Sequence, residues 1–435
     1  MLAIERPLRV VHLGYLLLFL MVFLPTTYQP VKAALLAILL SVILIEALVR
    51  NRLELHRAVA LGTLFFVIVG LFYILRGELN GAPGALRSIN VYVIWPIVFA
   101  LLISGLREEG AITGVVRTLI VGALAVELYS LLYIFYSVGW IPSWLYFPLD
   151  QGQEFSLYPT YFAYNLHSIA SLFFLIPFLV ALLALWPRAE PMPVGRVWVT
   201  IAALVGFVLV VLSARRALML IIAISPVVIL ALATQLPLPS ATRHRLLKRM
   251  MFGIGTLAGA AFLYVAVAFN LTPALILDSI KDAFTSVAEE SPRVRVDQFS
   301  ALVDAWKENP VLGSGLGEVV PGLVRSPEMP WAYELSYVSL LFHVGLLGLA
   351  VYGLGILWIF AFGIRIIRQG GRRSFYMLAV LSGTVAFLLG NATNPYLEKF
   401  DYLWVIFLPL ALINQSLLQR RGSTQGEGLD TAAPW

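Results

Sequence analysis

The sequence predicts an all-α polytopic membrane protein, and three observations predict this fold class. The 435 residues are 60% hydrophobic and only 12% charged, whereas soluble domains contain about 45–50% apolar and about 25% charged residues. The apolar residues form uninterrupted runs, many of them close to the length of about 20 residues that carries a helix across a bilayer. Basic residues cluster between alternate runs, as expected of loops on the cytoplasmic side.

Each apolar run is interpreted as one membrane span, which gives about twelve. The spans lie near 8–24, 31–49, 58–75, 88–106, 112–138, 161–186, 197–213, 217–234, 251–269, 336–364, 376–390 and 401–418. No small-residue cleavage site follows the first run, so it is interpreted as a span and not as a signal peptide. Four parts follow: spans one to nine (1–269), a long outer loop (270–335), spans ten to twelve (336–418) and a cytoplasmic tail predicted to be disordered (419–435).

The distribution of Lys and Arg predicts the orientation. If the N-terminus is cytoplasmic, more than half of the 30 basic residues fall in inside segments, and the positive-inside rule is satisfied at nearly every short loop. Both termini are therefore predicted to be cytoplasmic. The net charge of +6 is explained by this anchoring, so no nucleic-acid partner is predicted. The absence of cysteine excludes disulfides and thiolate nucleophiles.

Two outer segments are long. Residues 139–160 are aromatic and acidic, and residues 270–335 contain "VRVDQFSALVDAWKENP", which predicts one amphipathic helix ended by Asn309-Pro310. The predicted apolar face of this helix carries Phe299, Leu302, Val303 and Trp306.

Arginine pairs interrupt the apolar pattern at two outer positions. Arg215 and Arg216 fall in a tight turn between spans seven and eight. One arginine there would be interpreted as snorkelling into headgroups, but an adjacent pair favours an anionic ligand, because the guanidinium fork suits phosphate oxygens. Arg293 and Arg295 precede the outer helix and, taken alone, are interpreted as a solvated charge cluster.

Three glycines, Gly313, Gly315 and Gly317, lie in "PVLGSGLGEVVPG" at 310–322. They follow a helix without the strand that a dinucleotide-binding fingerprint requires. The segment is therefore interpreted as a flexible outer loop whose backbone turns sharply or approaches a ligand.

Several polar residues lie within or at the mouths of spans. Glu127 lies near the middle of span five, and intramembrane carboxylates are functional candidates. His167, in the outer part of span six, and His343, in span ten, are each interpreted as structural when taken alone. Glu334 begins the entry to span ten in "WAYELSYVSLLFHVGLLG", where an acidic residue also suits the helix N-terminus. No spacing of His, Asp and Glu predicts a metal site.

The order of these features resembles the O-antigen ligase and O-antigen polymerase superfamily of integral-membrane glycosyltransferases. An outer Arg turn is followed by a long outer loop, an Arg before a helix, "P-x-x-G-x-G-x-G" and an entry motif ahead of "GLLGL". The resemblance covers mainly residues 160–400. "NPYLEKFDYLWVIFLPLALIN", at 394–414, is similar to the last outer loop and span of that group.

The resemblance implies a GT-C-like architecture and a reaction at the periplasmic face of the bacterial inner membrane. The donor would be a glycan on undecaprenyl diphosphate and the acceptor a sugar hydroxyl, with no metal or cofactor, and a chain-length regulator is an implied partner besides membrane lipid. Arginines would hold the leaving diphosphate. The family arginine falls on Arg216, with Arg215 at the preceding serine, and a one-residue shift exchanges them; the later arginine falls on Arg293 or Arg295.

One departure moves the prediction from ligase to polymerase. Aligning the ligase tyrosine with Tyr337 puts Glu334 where the ligase histidine belongs, so a carboxylate either acts as base on the acceptor or binds sugar hydroxyls. The predicted catalytic residues are Glu334, Arg216 and Arg215, and the predicted substrate-binding residues are Arg293, Arg295, Tyr337, His167, Tyr333 and Trp331. Two alternatives stay open: a ligase that transfers the glycan to lipid A-core or protein, and a proton-coupled transporter of an anionic or lipid-linked substrate.

Overall fold

The structure is a computed structural model that describes residues 10–50, 53–106, 109–150, 152–157, 162–186, 192–213, 215–237, 248, 290–323 and 329–427. Predicted span nine (251–269) and most of the outer loop before its helix lie outside the described residues.

The described chain is mainly helical. The helices are α1 (Val10–Phe23), α2 (Gln29–Arg50), α3 (Arg57–Leu79), α4 (Ala85–Ile89), α5 (Trp95–Ser104), α6 (Glu109–Ser137), α7 (Leu172–Leu185), α8 (Arg196–Leu212), α9 (Arg216–Ala233), α10 (Glu290–Glu308), α11 (Ser336–Gln369), α12 (Arg372–Asn391) and α13 (Trp404–Glu427). A π-helical turn, Asn90–Ile94, joins α4 to α5. Within the described residues, eight helices are long and apolar enough to cross a membrane, and two further apolar helices are shorter.

The centre of the bundle is formed by α7 and α12. Nearly every residue of α7 is buried, including Phe174 and Phe178, so this helix is surrounded by protein on all sides. A Cβ added at Gly383 of α12 would lie 2.7 Å from the carbonyl oxygen of Phe174. The missing side chain therefore lets the two backbones approach closely, as small residues do at helix contacts in membranes.

Hydrogen bonds show which helix ends lie together at each end of the bundle. At one, the α1–α2 turn and the start of α9 contact the segment between α12 and α13. At the other, Arg368 at the end of α11 bonds Gln235 just after α9, and Asn414 of α13 bonds the residue before α3. We call the first the loop end, because the glycine loop (310–322) lies there.

α11 is broken at Gly345, whose φ of 63° lies in the left-handed region. A broken helix leaves amides and carbonyls without helical partners, which is costly at membrane depth. The glycine loop supplies the partners through four bonds of 2.8–3.0 Å: Ser314 and Gly315 donate to the carbonyls of Phe342 and His343, and Leu346 and Leu347 donate to the carbonyls of Pro310 and Val311. Predicted span ten therefore consists of two helical segments that meet at Gly345 and are held by hydrogen bonds to this loop.

The glycines of this loop allow backbone to pack on backbone. A Cβ at Gly315 would lie 2.3 Å from the nitrogen of Gly77 in α3, and a Cβ at Gly317 would lie 2.1 Å from the carbonyl carbon of Gly84. Both glycines also have positive φ, 100° and 81°. The sharp turning that the sequence predicts is confirmed, but the loop is a packed connector and not a flexible one, and its backbone approaches the chain itself.

Three details of the predicted organisation are corrected. The beginning of predicted span six is a strand, β2 (Phe162–Asn165), which pairs antiparallel with β1 (Glu154–Leu157) in the segment before it. The outer helix ends at Glu308, as Asn309-Pro310 predicts, but Phe299 is 52% exposed, because the packed face centres on Gln298 and Leu302. α13 continues to Glu427, so the first part of the predicted disordered tail is helical.

Candidate functional site

A cavity of about 670 Å³ opens at the loop end of the bundle, a size typical of ligand pockets. It lies between the α1–α2 turn, α4 with the π-helical turn, the glycine loop and the α12–α13 connection. Its polar and aromatic lining comprises Thr26, Gln29, Arg87, Ser88, Asn90, Tyr92, His167, Trp331, His343, Glu398, Lys399, Phe400 and Asp401. Cationic, anionic and aromatic side chains thus share one cavity.

His167 is held on its Nδ1 side. That nitrogen lies 2.9 Å from the hydroxyl of Thr26 and 3.6 Å from Oδ1 of Asp150. Asp150 is 3% exposed, and its carboxylate accepts the amides of Gly152 and Ser168 at 2.9 Å each. The His167 side chain itself is 38% exposed, so its ring is oriented by a buried carboxylate while it lines the cavity.

A buried ion pair supports the α1–α2 turn. Lys32 Nζ lies 2.7 Å from Oδ1 of Asp401, and the two side chains are 3% and 1% exposed. Oδ2 of Asp401 accepts the backbone amide of Thr26 at 3.0 Å and the side-chain amide of Gln29 at 2.6 Å. Thr26 has a φ of 63° and Tyr28 a φ of 53°, a region that non-glycine residues rarely occupy. Asp401 therefore fixes a strained turn that contains Thr26, the hydrogen-bond partner of His167.

The arginine pair lies in the turn between α8 and α9, where the sequence predicts it. Arg215 is the N-cap residue of α9 and is partly buried; its guanidinium donates to Oδ1 of Asn165 and, over 3.4 Å, to the hydroxyl of Tyr396. Arg216 is exposed. Arg215 thus contacts both the hairpin and the α12–α13 connection.

Glu334 and Arg295 form an ion pair. Arg295 Nε lies 2.8 Å from Oε2 of Glu334, with side chains 38% and 19% exposed, and the amide of Glu334 donates to Oε1 of Gln298. The pair attaches α10 to the segment that enters α11, and neither residue lines the cavity. Arg293 and Arg295 lie within α10 and not before it, so this part of the prediction is wrong. The side chain of Arg293 is outside the described part of the chain. Glu334 is therefore separate from the residues gathered around His167.

The three aromatic candidates occupy different positions. Trp331 lines the cavity, and the guanidinium of Arg87 lies 5.5 Å from its ring centroid. Tyr337 is 38% exposed and donates to the carbonyl of Leu388 at 2.6 Å, which ties α11 to α12. Tyr333 is fully buried, and its hydroxyl accepts the amide of Val320 at 2.7 Å. Of the predicted sugar-binding residues, Trp331 and His167 line the cavity.

Tyr333 has a structural position, which leads to a first prediction. Burial raises the pKa of its hydroxyl, so the group stays protonated at neutral pH. We expect Tyr333→Phe to lower the free energy of unfolding by about 1–3 kcal/mol, because the buried amide of Val320 loses its acceptor. Chemical unfolding in detergent measures this. A stable Tyr333→Phe variant with weakened glycan binding would instead support the predicted substrate contact.

Glu127 is an ionisable residue in the interior of the apolar helix α6. It is 1% exposed, and neither carboxylate oxygen has a hydrogen-bond partner within the described residues. A Cβ at Gly206 of α8 would lie 2.7 Å from its Oε1, so the carboxyl group packs directly on that helix backbone. Among the described residues, no group of three or more His, Asp or Glu side chains is arranged to hold a metal ion.

The signals that could have identified the rest of the site were weak. Lys399 and Asp401 stand in "YLEKFDY", a charged cluster in a short outer segment, which is the one local signal. Thr26 and Asp150 carry no motif, because their importance comes from contacts across the sequence.

The fold and the site define the class: an α-helical polytopic membrane protein with a polar cavity at one end of its bundle. No protein-family model matches the chain, and no curated protein matches it.

Proposed function

We propose that this protein is a glycosyltransferase of the bacterial inner membrane, acting at the periplasmic face without a metal, and that it polymerises undecaprenyl-diphosphate-linked oligosaccharide repeat units. The observation that supports this most is the cavity at the loop end, whose lining includes His167 and an aromatic wall. The arginine turn lies at the same end of the bundle, where Arg215 contacts Tyr396. In the predicted orientation this end faces the periplasm.

The donor's diphosphate would be held at the start of α9. Arg215 and Arg216 bring two guanidinium groups to this helix N-terminus, where backbone amides and the helix dipole also favour anions. The leaving diphosphate needs no protonation when cations take up its charge. Attraction between unit charges 4 Å apart is about 4 kcal/mol at an effective dielectric of 20, against about 1 kcal/mol in water, so a partly buried Arg215 suits this role better than a fully solvated one.

The acceptor glycan would lie in the cavity. Trp331 and the Arg87 guanidinium stacked on its ring form one wall for a sugar. Glu398 and Lys399 line the same cavity and can bond to hydroxyl groups. These contacts would orient the acceptor hydroxyl towards the donor.

The test is elongation of a defined donor. Purified protein is incubated with an undecaprenyl-diphosphate-linked repeat unit in the presence of a chelator, and the products are separated on a gel. We expect a ladder of lipid-linked glycans. A lipid A-core acceptor that becomes glycosylated, with no ladder from two different donors, would establish the ligase alternative.

The arginine assignment gives a second prediction. Arg215→Ala should lower the elongation rate roughly 10- to 100-fold, because a charge-assisted hydrogen bond contributes about 1.5–3 kcal/mol. Arg215→Lys should recover part of the loss, since it keeps the charge without the fork. Arg368→Ala, at the opposite end of the bundle, is the control. If Arg216→Ala loses more of the elongation rate than Arg215→Ala, Arg216 is the residue that corresponds to the arginine of the resembled superfamily.

One observation favours a second candidate, a proton-coupled carrier. The buried carboxyl of Glu127 is of the kind that takes part in proton relays in transporters. A carrier would leave the lipid-linked glycan chemically unchanged in the gel assay and would move substrate only in sealed vesicles with a gradient.

A further inference from the structure

His167 lies where the cavity meets two buried polar groups, the Thr26 turn and Asp150. We propose that His167 is the general base that accepts the proton of the attacking acceptor hydroxyl, with Thr26 and Asp150 as its positioning residues. This inference rests on the proposed function and goes beyond it. The sequence assigns His167 only to substrate binding and predicts Glu334 as the general base.

The contacts of the imidazole determine which nitrogen reacts. Thr26 and Asp150 both approach Nδ1, so the ring proton is best placed on Nδ1, donated to the Thr26 hydroxyl and attracted by the buried carboxylate. Nε2 is then the basic nitrogen. The Cδ2–Nε2 edge lies against Gly152, where a Cβ would come within 2.4 Å of Nε2. A residue with a side chain at position 152 would therefore displace the ring.

The support of the histidine extends two residues further into the protein. The Thr26 hydroxyl is held in place because Asp401 binds the Thr26 amide, and Asp401 is itself fixed by Lys32. A strained turn persists only where its surroundings determine it strongly, and such turns cluster at functional sites. The arrangement therefore comprises a base, His167, and a hydroxyl that orients it, on Thr26. It also includes a buried carboxylate, Asp150, and the Lys32–Asp401 pair, which holds the turn in place.

The proposed step balances. The acceptor oxygen forms a bond to the anomeric carbon of the donor while the bond from that carbon to the phosphate oxygen breaks. The hydroxyl proton passes to Nε2 of His167, and the electron pair of the broken bond leaves on undecaprenyl diphosphate. The imidazolium is stabilised by Asp150 and returns its proton to water before the next turnover.

Glu334 is less suited to this step. Its carboxylate is occupied by Arg295 at 2.8 Å, and it does not line the cavity. The charged groups around His167 are Asp150, Glu154, Lys399 and Arg215. The pH dependence of the elongation rate therefore reflects His167 and these neighbouring charged groups together.

The experiment uses the full-length protein in detergent with the lipid-linked repeat unit, over a range of pH. We expect His167→Gln to slow elongation by about 10²- to 10⁴-fold, the usual contribution of a general base, with donor binding unchanged. Added imidazole should raise the rate of His167→Ala. Asp150→Asn should slow the reaction and shift its pH profile. His12→Gln, which alters an exposed histidine of α1, is the matched control.

The outcomes separate the two proposals. An inactive wild-type protein with every lipid-linked donor overturns the proposed function. An active wild-type protein with a normal rate in His167→Gln overturns the base assignment alone. A slowed His167→Gln that keeps the wild-type pH profile, with no imidazole rescue of His167→Ala, also overturns it and leaves His167 as a structural residue. Gly152→Ala adds a further check, because it should displace the ring and slow the reaction without removing the imidazole.

Discussion

Asp401→Ala should lower the free energy of unfolding by about 3–5 kcal/mol, the range measured when one partner of a buried ion pair is removed. Lys32 would be left buried, at 3% exposure, with no carboxylate beside it. The amide of Thr26 and the side chain of Gln29 would lose their acceptor in the same variant. The α1–α2 turn, already at positive φ, would then relax and release His167.

The measurement is chemical or thermal unfolding in detergent, together with the elongation rate. Asp304→Ala is the matched control, because the Lys307–Asp304 pair has the same 2.7 Å separation but is 63% and 67% exposed; such pairs contribute about 0–1 kcal/mol. Lys32→Met combined with Asp401→Leu should recover part of the stability, since no buried charge remains. A loss below about 1 kcal/mol in Asp401→Ala would show that the pair is solvated.

Gly315→Ala should be the second severe change. Its φ of 100° already disfavours a side chain, at a cost of about 1–2 kcal/mol. The new Cβ would also fall 2.3 Å from the nitrogen and 2.5 Å from the Cα of Gly77, where only backbone could move aside. Overpacking of this kind costs about 1–3 kcal/mol more.

Gly322→Ala is the control that isolates the second effect. Gly322 has a φ of 77° and nothing within 4 Å of a Cβ, so it carries the conformational cost alone. Unfolding experiments on both variants give the contribution of backbone contact as a difference. Equal losses in the two variants would mean that the loop is not packed on α3 in solution.

The membrane-embedded class could be predicted from the sequence because apolar runs are a local property. The same is true of the end of α10, since Asn309-Pro310 stops a helix wherever it occurs. The break at Gly345 could not be predicted, because Gly348 stands three residues away in the same apolar setting and remains helical. What distinguishes the two glycines is a loop that reaches one of them from more than thirty residues earlier in the chain.

The candidate site was predicted only in part for a similar reason. Arg215 and His167 stood out because charge and polarity are unusual at their positions. Their partners did not: Asp150 and Thr26 are ordinary loop residues, and contacts between distant residues decide their roles. Phe299 shows the converse error, since an apolar residue on an amphipathic helix was assigned to the packed face by spacing, while Gln298 lies there instead.

The Lys32–Asp401 pair joins residues 369 positions apart, which has a consequence for biosynthesis. At about 5–20 residues per second, Asp401 leaves the ribosome roughly 20–70 seconds after Lys32. Throughout that interval α2 holds a lysine whose partner does not yet exist, and the turn before it has no support. The α1–α2 turn therefore cannot reach its final, supported conformation until the segment between α12 and α13 has been made.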